Sequence, residues 1–258
     1  MSIYIDKITK VLKEAGDKIL EIYKDEEAFK EVDFKADDSP LTKADVESNA
    51  IIMDFLTKEF DFPIISEEKK VADYQERKEY KSFWLVDPLD GTKEFINRNG
   101  EFTVNIALIK NGIPVFGGIY VPVTDTYYFG EEGVGAYKKV GDGALTPIQV
   151  NSNTSDWKAV GSKSHAKPEE QEFYSKIGVK DVISVGSSLK FCMVAEGVAD
   201  LYFRAGPTME WDIAAGHAIV IGAGGQVYKD LECKEVFSYN KENLLNGSFL
   251  CTSTAKLN

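Results

Sequence analysis

The sequence predicts an α/β (α+β) protein built in two halves, and three observations carry that expectation. Residues 3–24 place apolar side chains at helical spacing. Residues 103–150 read as consecutive short strands separated by Gly and Asn-Gly turns. From residue 158 onward, strands alternate with helices. The change of character near 145–155 sets the expected domains at 1–150, of α+β type, and 151–258, of α/β type.

Each element follows from its local pattern. In 3–24, Ile8, Val11, Leu12, Ala15, Ile19 and Ile22 share one face of an amphipathic helix. DFKADDSPLT (33–42) is polar and broken by Pro40, so a loop is expected. Thr42 and Asp45 resemble a capping box with Asp in place of Glu, opening a second helix that runs to about Phe60. FPIIS (62–66) is a short strand that delivers Glu67 and Glu68, and KKVADYQERKEYK (69–81) is a charged connection. SFWLV (82–86) is apolar and rich in β-formers, an interior strand that should end at Pro88, which cannot continue a ladder.

TVNIALI (103–109), VFGGIYV (115–121), TYYFGE (126–131) and GAYKK (135–139) then read as antiparallel strands, with GDGAL (141–145) as a hairpin turn. In the second half KAVGS (158–162), VISVGS (182–187), DLYFR (200–204) and SFLCTS (248–253) are strands. PEEQEFYSKIG (168–178), SLKFCMVAEG (188–197, closed by Gly197) and the small-residue stretch WDIAAGHAIVIGAGG (211–225) are helices. Sheet order is not legible at this level.

Bulk composition narrows the function. The chain has 258 residues, 43% hydrophobic and 28% charged, ordinary for a soluble globular protein. A net charge of −12 speaks against a nucleic-acid surface, which needs a basic stripe. An anionic small substrate stays open, because bound cations invert the local field. Arg77, Arg98 and Arg204 are the three arginines; each could contact an anion, and each by default reads as solvated surface. Cys192, Cys233 and Cys251 show no CxxC spacing and suit packing in a reducing compartment. The first residues have no signal-peptide core, and the longest apolar run, near 218–225, is too short to span a bilayer. A cytoplasmic protein without an integral membrane segment is expected.

The chemistry is suggested by acids at element ends. WLVDPLDGTKEF (84–95) sets Asp87 and Asp90 three residues apart on a strand-end turn beside Gly91. Asp45 and Asp212 stand at helix starts, and Glu67 follows a strand. Singly, each has a plain explanation: a solvated turn, an exposed loop, or a first-turn acid favoured by the helix dipole. Together they do not, because two charges ~4 Å apart repel by about 4 kcal/mol at an effective dielectric near 20. A converged cluster needs cations or shared protons. With no thiolate pair and only His165 and His217, oxygen ligands favour Mg²⁺, Mn²⁺ or Ca²⁺ over zinc. The Thr92 hydroxyl lies beside the turn and could orient an attacking water, with Asp45 as proton acceptor. Backbone N–H groups of Gly91 and Thr92 could bind phosphate if a helical turn starts at TKEF. A D-x-D-G-T aspartyl-nucleophile motif is rejected, because these acids are separated by two residues and position 88 is proline.

VDPLDGTKEF, with SEE upstream and GPTMEWDIAAGHA downstream, resembles the inositol monophosphatase superfamily of Mg²⁺-dependent, lithium-sensitive phosphatases. DDSPLTKAD (37–45), WLVDPLDGTKEFINRNGEFTVNIALI (84–109) and GSSLKFCMVAEGVADLY (186–202) are similar to its CysQ-type 3'(2'),5'-bisphosphate nucleotidases. The resemblance spans nearly the whole chain. It implies a layered α/β/α/β/α sandwich of the inositol monophosphatase/fructose-1,6-bisphosphatase type. It implies two or three Mg²⁺ ions, with Mn²⁺ as substitute, held by Glu67, Asp87, the Leu89 carbonyl, Asp90 and Asp212. Asp45 and Thr92 would activate water. Gly91, Thr92, His165, Ser187, Lys190 and Arg204 would face the substrate. Against this, Ser187 could simply cap a helix, Lys190 could be solvated, and Arg204 could pair with a nearby acid. His217 reads as packing, and Glu68 as no more than a ligand's neighbour.

The implied reaction is hydrolysis of adenosine 3',5'-bisphosphate to AMP and phosphate, extending to the sulfated analogue of sulfur assimilation. The partner is then a small phosphorylated nucleotide, and the protein a monomer or homodimer. An inositol or sugar phosphatase would share every metal residue. A non-catalytic nucleotide sensor is the rival of another class, disfavoured because it needs neither Asp45 nor Thr92.

Overall fold

The computed structural model describes residues 2–25, 32–34, 40–153, 155–164 and 166–253. Helix α1 (Ile3–Lys24) turns the predicted apolar face inward: Ile8, Val11, Leu12, Ala15 and Ile19 are fully buried. It lies beside α2 (Lys43–Glu59), which starts at the predicted box. The Asp45 carboxylate accepts hydrogen bonds from the Thr42 N–H at 2.7 Å and from its hydroxyl at 2.5 Å.

Seven strands form one sheet in the order β3-β4-β5-β6-β7-β8-β9: β3 (Ile64–Ser66), β4 (Ser82–Asp90), β5 (Thr103–Lys110), β6 (Ile113–Val121), β7 (Thr126–Glu131), β8 (Gly135–Val140) and β9 (Thr146–Ile148). The β3–β4 pair is parallel and the rest antiparallel. The two faces follow from period-two alternation. Trp84, Val86, Val104, Ile106 and Leu108 face α1 and α2, whereas Phe83, Leu85, Ala107 and Ile109 face the opposite layer.

That layer is α6 (Leu189–Ala195) and α7 (Glu210–Gly222). The strands that face it need glycines, because α7 lies almost on the sheet backbone. A Cβ at Gly130 would stand 2.3 Å from the Cα of Ile219, and one at Gly117 2.3 Å from the carbonyl oxygen of Ala215. A second sheet, in the order β11-β10-β12-β16-β14, covers the other side. Its strands are β10 (Lys158–Ser162), β11 (Asp181–Val185), β12 (Leu201–Arg204), β14 (Gln226–Tyr228) and β16 (Phe249–Thr252). Val160, Tyr202, Phe249 and Cys251 face α6 and α7; Ala159, Leu201, Phe203 and Leu250 face α5 (Pro168–Lys176) through Phe173 and Tyr174. The result is the expected α/β/α/β/α sandwich, with a middle helical layer that belongs to both sheets.

Several elements differ from the sequence reading. Residues 33–42 are not wholly loop: β1 (Val32–Phe34) pairs antiparallel with β2 (Pro40–Thr42), and Pro40 is tolerated as the first residue of its strand. Strand β4 does not end at Pro88 but runs to Asp90, because the ladder to β5 shifts register between Asp87 and Asp90 and the proline sits in that irregularity. The charged connection contains the single-turn α3 (Tyr74–Arg77). Strands β9, β13 (Thr208–Met209), β14 and β15 (Leu245–Asn246) escape the pattern because two or three residues carry no periodicity. Arg77 is buried rather than solvated, donating to the Asn240 side chain and the carbonyls of Lys241 and Glu242.

Candidate active site

The register shift in β4 turns its last residues toward the gap between the two sheets. Asp87, Glu67 and Asp212, from strand β4, the turn after β3 and a helix start, present carboxylate oxygens that all lie within 4.8 Å of one another. Asp87 is 1% exposed, while Glu67, Asp90 and Asp212 are half-buried on the wall of a cavity of ≈ 820 Å³. This donor set is all oxygen and like-charged, the composition that a hard divalent cation satisfies. Glu67, Asp87 and Asp212 fit such an ion, and Asp90 stands close enough to join them electrostatically.

The acids feel one another. Burial raises Asp87 well above the usual carboxylate range, and Glu67, Asp90, Asp212 and Asp45 add to the effect. Asp212 is raised well above that range by burial, then by Asp90 and Glu67. Asp90 is pushed up to about 6 by burial, with Lys190 and an Asn105 hydrogen bond restraining it.

Two of the acids do double duty at helix starts. Asp45 and Asp212 both occupy the third position of their helices. Each spends one oxygen on its helix: Asp45 Oδ2 caps the Thr42 N–H, and Asp212 Oδ2 accepts from the Met209 N–H at 2.8 Å. The other oxygen of Asp45 meets Thr92, whose hydroxyl donates to Asp45 Oδ1 at 3.2 Å and lies 3.4 Å from the Leu89 carbonyl oxygen. Ser48 at 2.8 Å holds the neighbouring Pro88 carbonyl, so α2 fixes the turn. The Leu89 N–H donates to Asp87 Oδ1 at 3.1 Å.

Gly91, at φ +89°, makes the sharp exit from β4, and the expected helical turn follows as α4 (Thr92–Ile96). A Cβ at 91 would also press on Ser187 Cβ at 3.2 Å. Ser187 therefore touches the turn from the second sheet's side; the residue at the N-cap of α6 is Ser188, and Ser187 Oγ accepts a long 3.5 Å bond from the first N–H of that helix, at Leu189. Lys190 is not solvated. It is buried, donates to the carbonyls of Ser187 and Val185, and stands over the Tyr202 ring; burial lowers it to about 8. Arg204 does face an acid, Glu170 at 3.9 Å, and still lines the cavity. His165 lies outside the described residues, as do residues 37–39 of the motif DDSPLTKAD. His217 is core: buried, with Nδ1 2.9 Å from the Tyr239 hydroxyl and Nε2 2.6 Å from Gln226 Oε1.

Sequence reasoning missed Asn105 and Ser188. Asn105 Nδ2 donates to Asp90 Oδ2 at 3.3 Å, and its oxygen accepts from Ser188 Oγ at 2.8 Å. Thr103 Oγ1 completes the chain 2.8 Å from Ser188 Oγ. A signal was present: Asn105 is the one amide in the otherwise apolar run VNIALI, and a buried strand tolerates it only with partners.

Fold and site together define a phosphatase-type sandwich with an acidic cation pocket, and the chain belongs to the inositol monophosphatase family, whose profile matches residues 4–257. Among curated relatives, the 3'(2'),5'-bisphosphate nucleotidase CysQ of Salmonella typhimurium is 43% identical over 251 residues, covering 96% of this chain and 99% of that protein. The protein of the same name from Escherichia coli is 44% identical over 246 residues, 95% and 98% of the two chains. The crystal structure of CysQ from Bacteroides thetaiotaomicron superposes with a TM-score of 0.86 at 43% identity, covering 98% of each chain. The inositol monophosphatase of Thermotoga maritima gives 0.79 at 25% identity, covering 98% and 93%.

Proposed function

We propose that this chain is a 3'(2'),5'-bisphosphate nucleotidase, hydrolysing adenosine 3',5'-bisphosphate to AMP and phosphate and accepting the sulfated analogue. One observation carries the reading: the Glu67–Asp87–Asp212 cluster and the Thr92–Asp45 pair open on one cavity, in a chain 43–44% identical to nucleotidases over nearly its whole length.

Two or three Mg²⁺ ions, with Mn²⁺ as substitute, are assigned to Glu67, Asp87, the Leu89 carbonyl, Asp90 and Asp212. When bound they neutralise phosphoryl oxygens and the departing ribose oxygen. The protein's own residues do the rest. Thr92 Oγ1 orients the attacking water and Asp45 takes its proton. The N–H groups of Gly91 and Thr92, at the start of α4, bind phosphoryl oxygens. Ser187, Lys190, Arg204 and His165 hold the nucleotide. No covalent enzyme intermediate is formed; the rate comes from positioning and electrostatics. The halves divide the labour: 1–150 brings most metal ligands and the water-activating pair, and 151–258 brings Asp212 and the nucleotide contacts. The protein acts in the cytoplasm as a monomer or homodimer, without nucleic acid. Among the described residues, no helix is long and apolar enough to cross a membrane.

Phosphate release measured side by side on adenosine 3',5'-bisphosphate and inositol phosphate, with Mg²⁺, tests the assignment. A preference for the inositol ester would overturn the substrate, and undiminished turnover by Asp90→Asn would overturn the mechanism. Nucleotide retained without phosphate release would leave a sensor.

A further inference from the structure

Two glutamates of the first half join the cavity wall supplied by the second half. Glu94 lies in α4, two residues past Thr92, and is buried; its Oε1 accepts from Ser164 Oγ at 2.5 Å. Glu101, just before β5, accepts from the Gly186 N–H at 2.8 Å and from Lys163 Nζ at 3.0 Å. Lys163 and Ser164 follow β10, and Gly186 follows β11, so both strand ends are held by one short segment of the other half.

The fit leaves no slack. A Cβ at Gly186 would lie 2.5 Å from Glu94 Cγ and 2.9 Å from the Glu101 carbonyl oxygen. Ser164 and Ser187, just past these strands, and Lys190 in the first turn of α6 line the cavity together with Gly91 and Thr92. The three bonds are not equal. Lys163 is half exposed, so its ion pair contributes little. The Glu94–Ser164 bond is shielded on one side only: Ser164 is exposed, but Glu94 is buried, and a buried carboxylate that loses its donor is costly.

We propose that Glu94 is a positioning residue: through Ser164, and with Glu101 on Gly186, it keeps the anion-contacting wall of Ser164, Ser187 and Lys190 in register with the Gly91–Thr92 turn. This rests on the nucleotidase reading above. The two sheets share α7 but carry opposite walls of the cavity, so a small shift between strand ends changes the fit of a ligand gripped from both sides. Glu94 touches no reacting atom, and its effect belongs to substrate binding rather than to the chemical step.

The test compares Glu94→Ala, Glu94→Gln, Ser164→Ala and the Glu94→Ala/Ser164→Ala double variant in Mg²⁺-supported hydrolysis of adenosine 3',5'-bisphosphate. Amide hydrogen exchange of the metal-free proteins is read in parallel. Glu94→Ala should raise KM about tenfold while kcat falls less than about threefold. Glu94→Gln keeps an oxygen for Ser164 and should stay within about threefold of the parent. Ser164→Ala should match Glu94→Ala, and the double variant should be no worse than either single. Exchange in 182–190 should quicken in Glu94→Ala while that in 210–222 stays unchanged. Unmoved KM and exchange, or additive effects of the two alanines, would overturn the inference. An inactive parent whose 182–190 amides still respond would refute the nucleotidase reading and uphold the positioning role.

Discussion

Thr92 and Asp45 stand 47 positions apart in sequence and meet through a 3.2 Å hydrogen bond from the threonine hydroxyl to the carboxylate. Neither residue could be placed there alone: Thr92 opens α4 after the Gly91 turn, and Asp45 sits in the first turn of α2 because its other oxygen caps that helix. If this pair prepares the attacking water, Thr92→Ala and Asp45→Asn should each lower kcat by roughly 10²–10⁴-fold. Thr92→Ser should recover most of the loss, since it restores the hydroxyl. Steady-state kinetics with saturating Mg²⁺ decides this, and an alanine variant with near-parental kcat would refute the role.

Metal should stabilise the protein more as pH rises. Asp87, Asp90 and Asp212 hold protons more tightly in the metal-free fold than in the unfolded chain, Asp90 up to about 6 and the others beyond the usual range. Their contribution is fully present below the ordinary carboxylate pKa, about 4, and is lost as pH climbs through the folded values. A cation that takes the place of those protons restores the loss, about 2.7 kcal/mol at roughly 100 times its Kd. The Mg²⁺-induced rise in Tm should therefore be larger at pH 8 than at pH 5.5. Equal rises at the two pH values would contradict the proton–metal exchange.

Asn105 restrains Asp90 from the strand beside it. Asn105→Ala removes a donor to that carboxylate and a partner of Ser188, leaving Asp90 harder to ionise. Outer partners of metal-binding carboxylates typically contribute about 10–100-fold in affinity or activity. The Mg²⁺ concentration for half-maximal rate should rise by that order, and excess Mg²⁺ should rescue kcat. An unchanged metal requirement would show that Asn105 serves packing alone.

Gly130 should tolerate no side chain. Its missing Cβ faces the backbone of α7, with Ile219 Cα 2.3 Å away and Ala218 O 2.5 Å away. Neither atom can rotate aside, so Gly130→Ala forces helix and sheet apart. Overpacking of this kind costs about 1–3 kcal/mol, which for a chain of this size lowers Tm by several degrees. Thermal unfolding with and without Mg²⁺ reads the change; an unaltered Tm would mean that the α7 layer yields freely.

How much of this was legible beforehand differs by element. The capping box at Thr42 and Asp45, the amphipathic α1 and the strands from Thr103 to Val140 follow from local spacing, and the structure reproduces them within a residue or two. The acids at element ends were legible as candidates, and Glu67, Asp87 and Asp212 do converge. Pro88 misled, because a proline normally closes a strand, whereas here the ladder slips past it between Asp87 and Asp90. Asn105, Ser188, Glu94 and Ser164 were not found, since each acts only on a partner brought from elsewhere in the chain.

By itself, then, the sequence determined the periodic elements, the acidic turn and the family to which they belong, because helical and strand periods, caps and turns act over a few neighbouring residues. Only the tertiary structure decided which acids share one pocket, that Lys190 is buried beside it, and how Glu94 and Glu101 join the halves. Those relations depend on sheet order and on the thickness of the α7 layer, set by non-local packing that no short stretch of residues encodes.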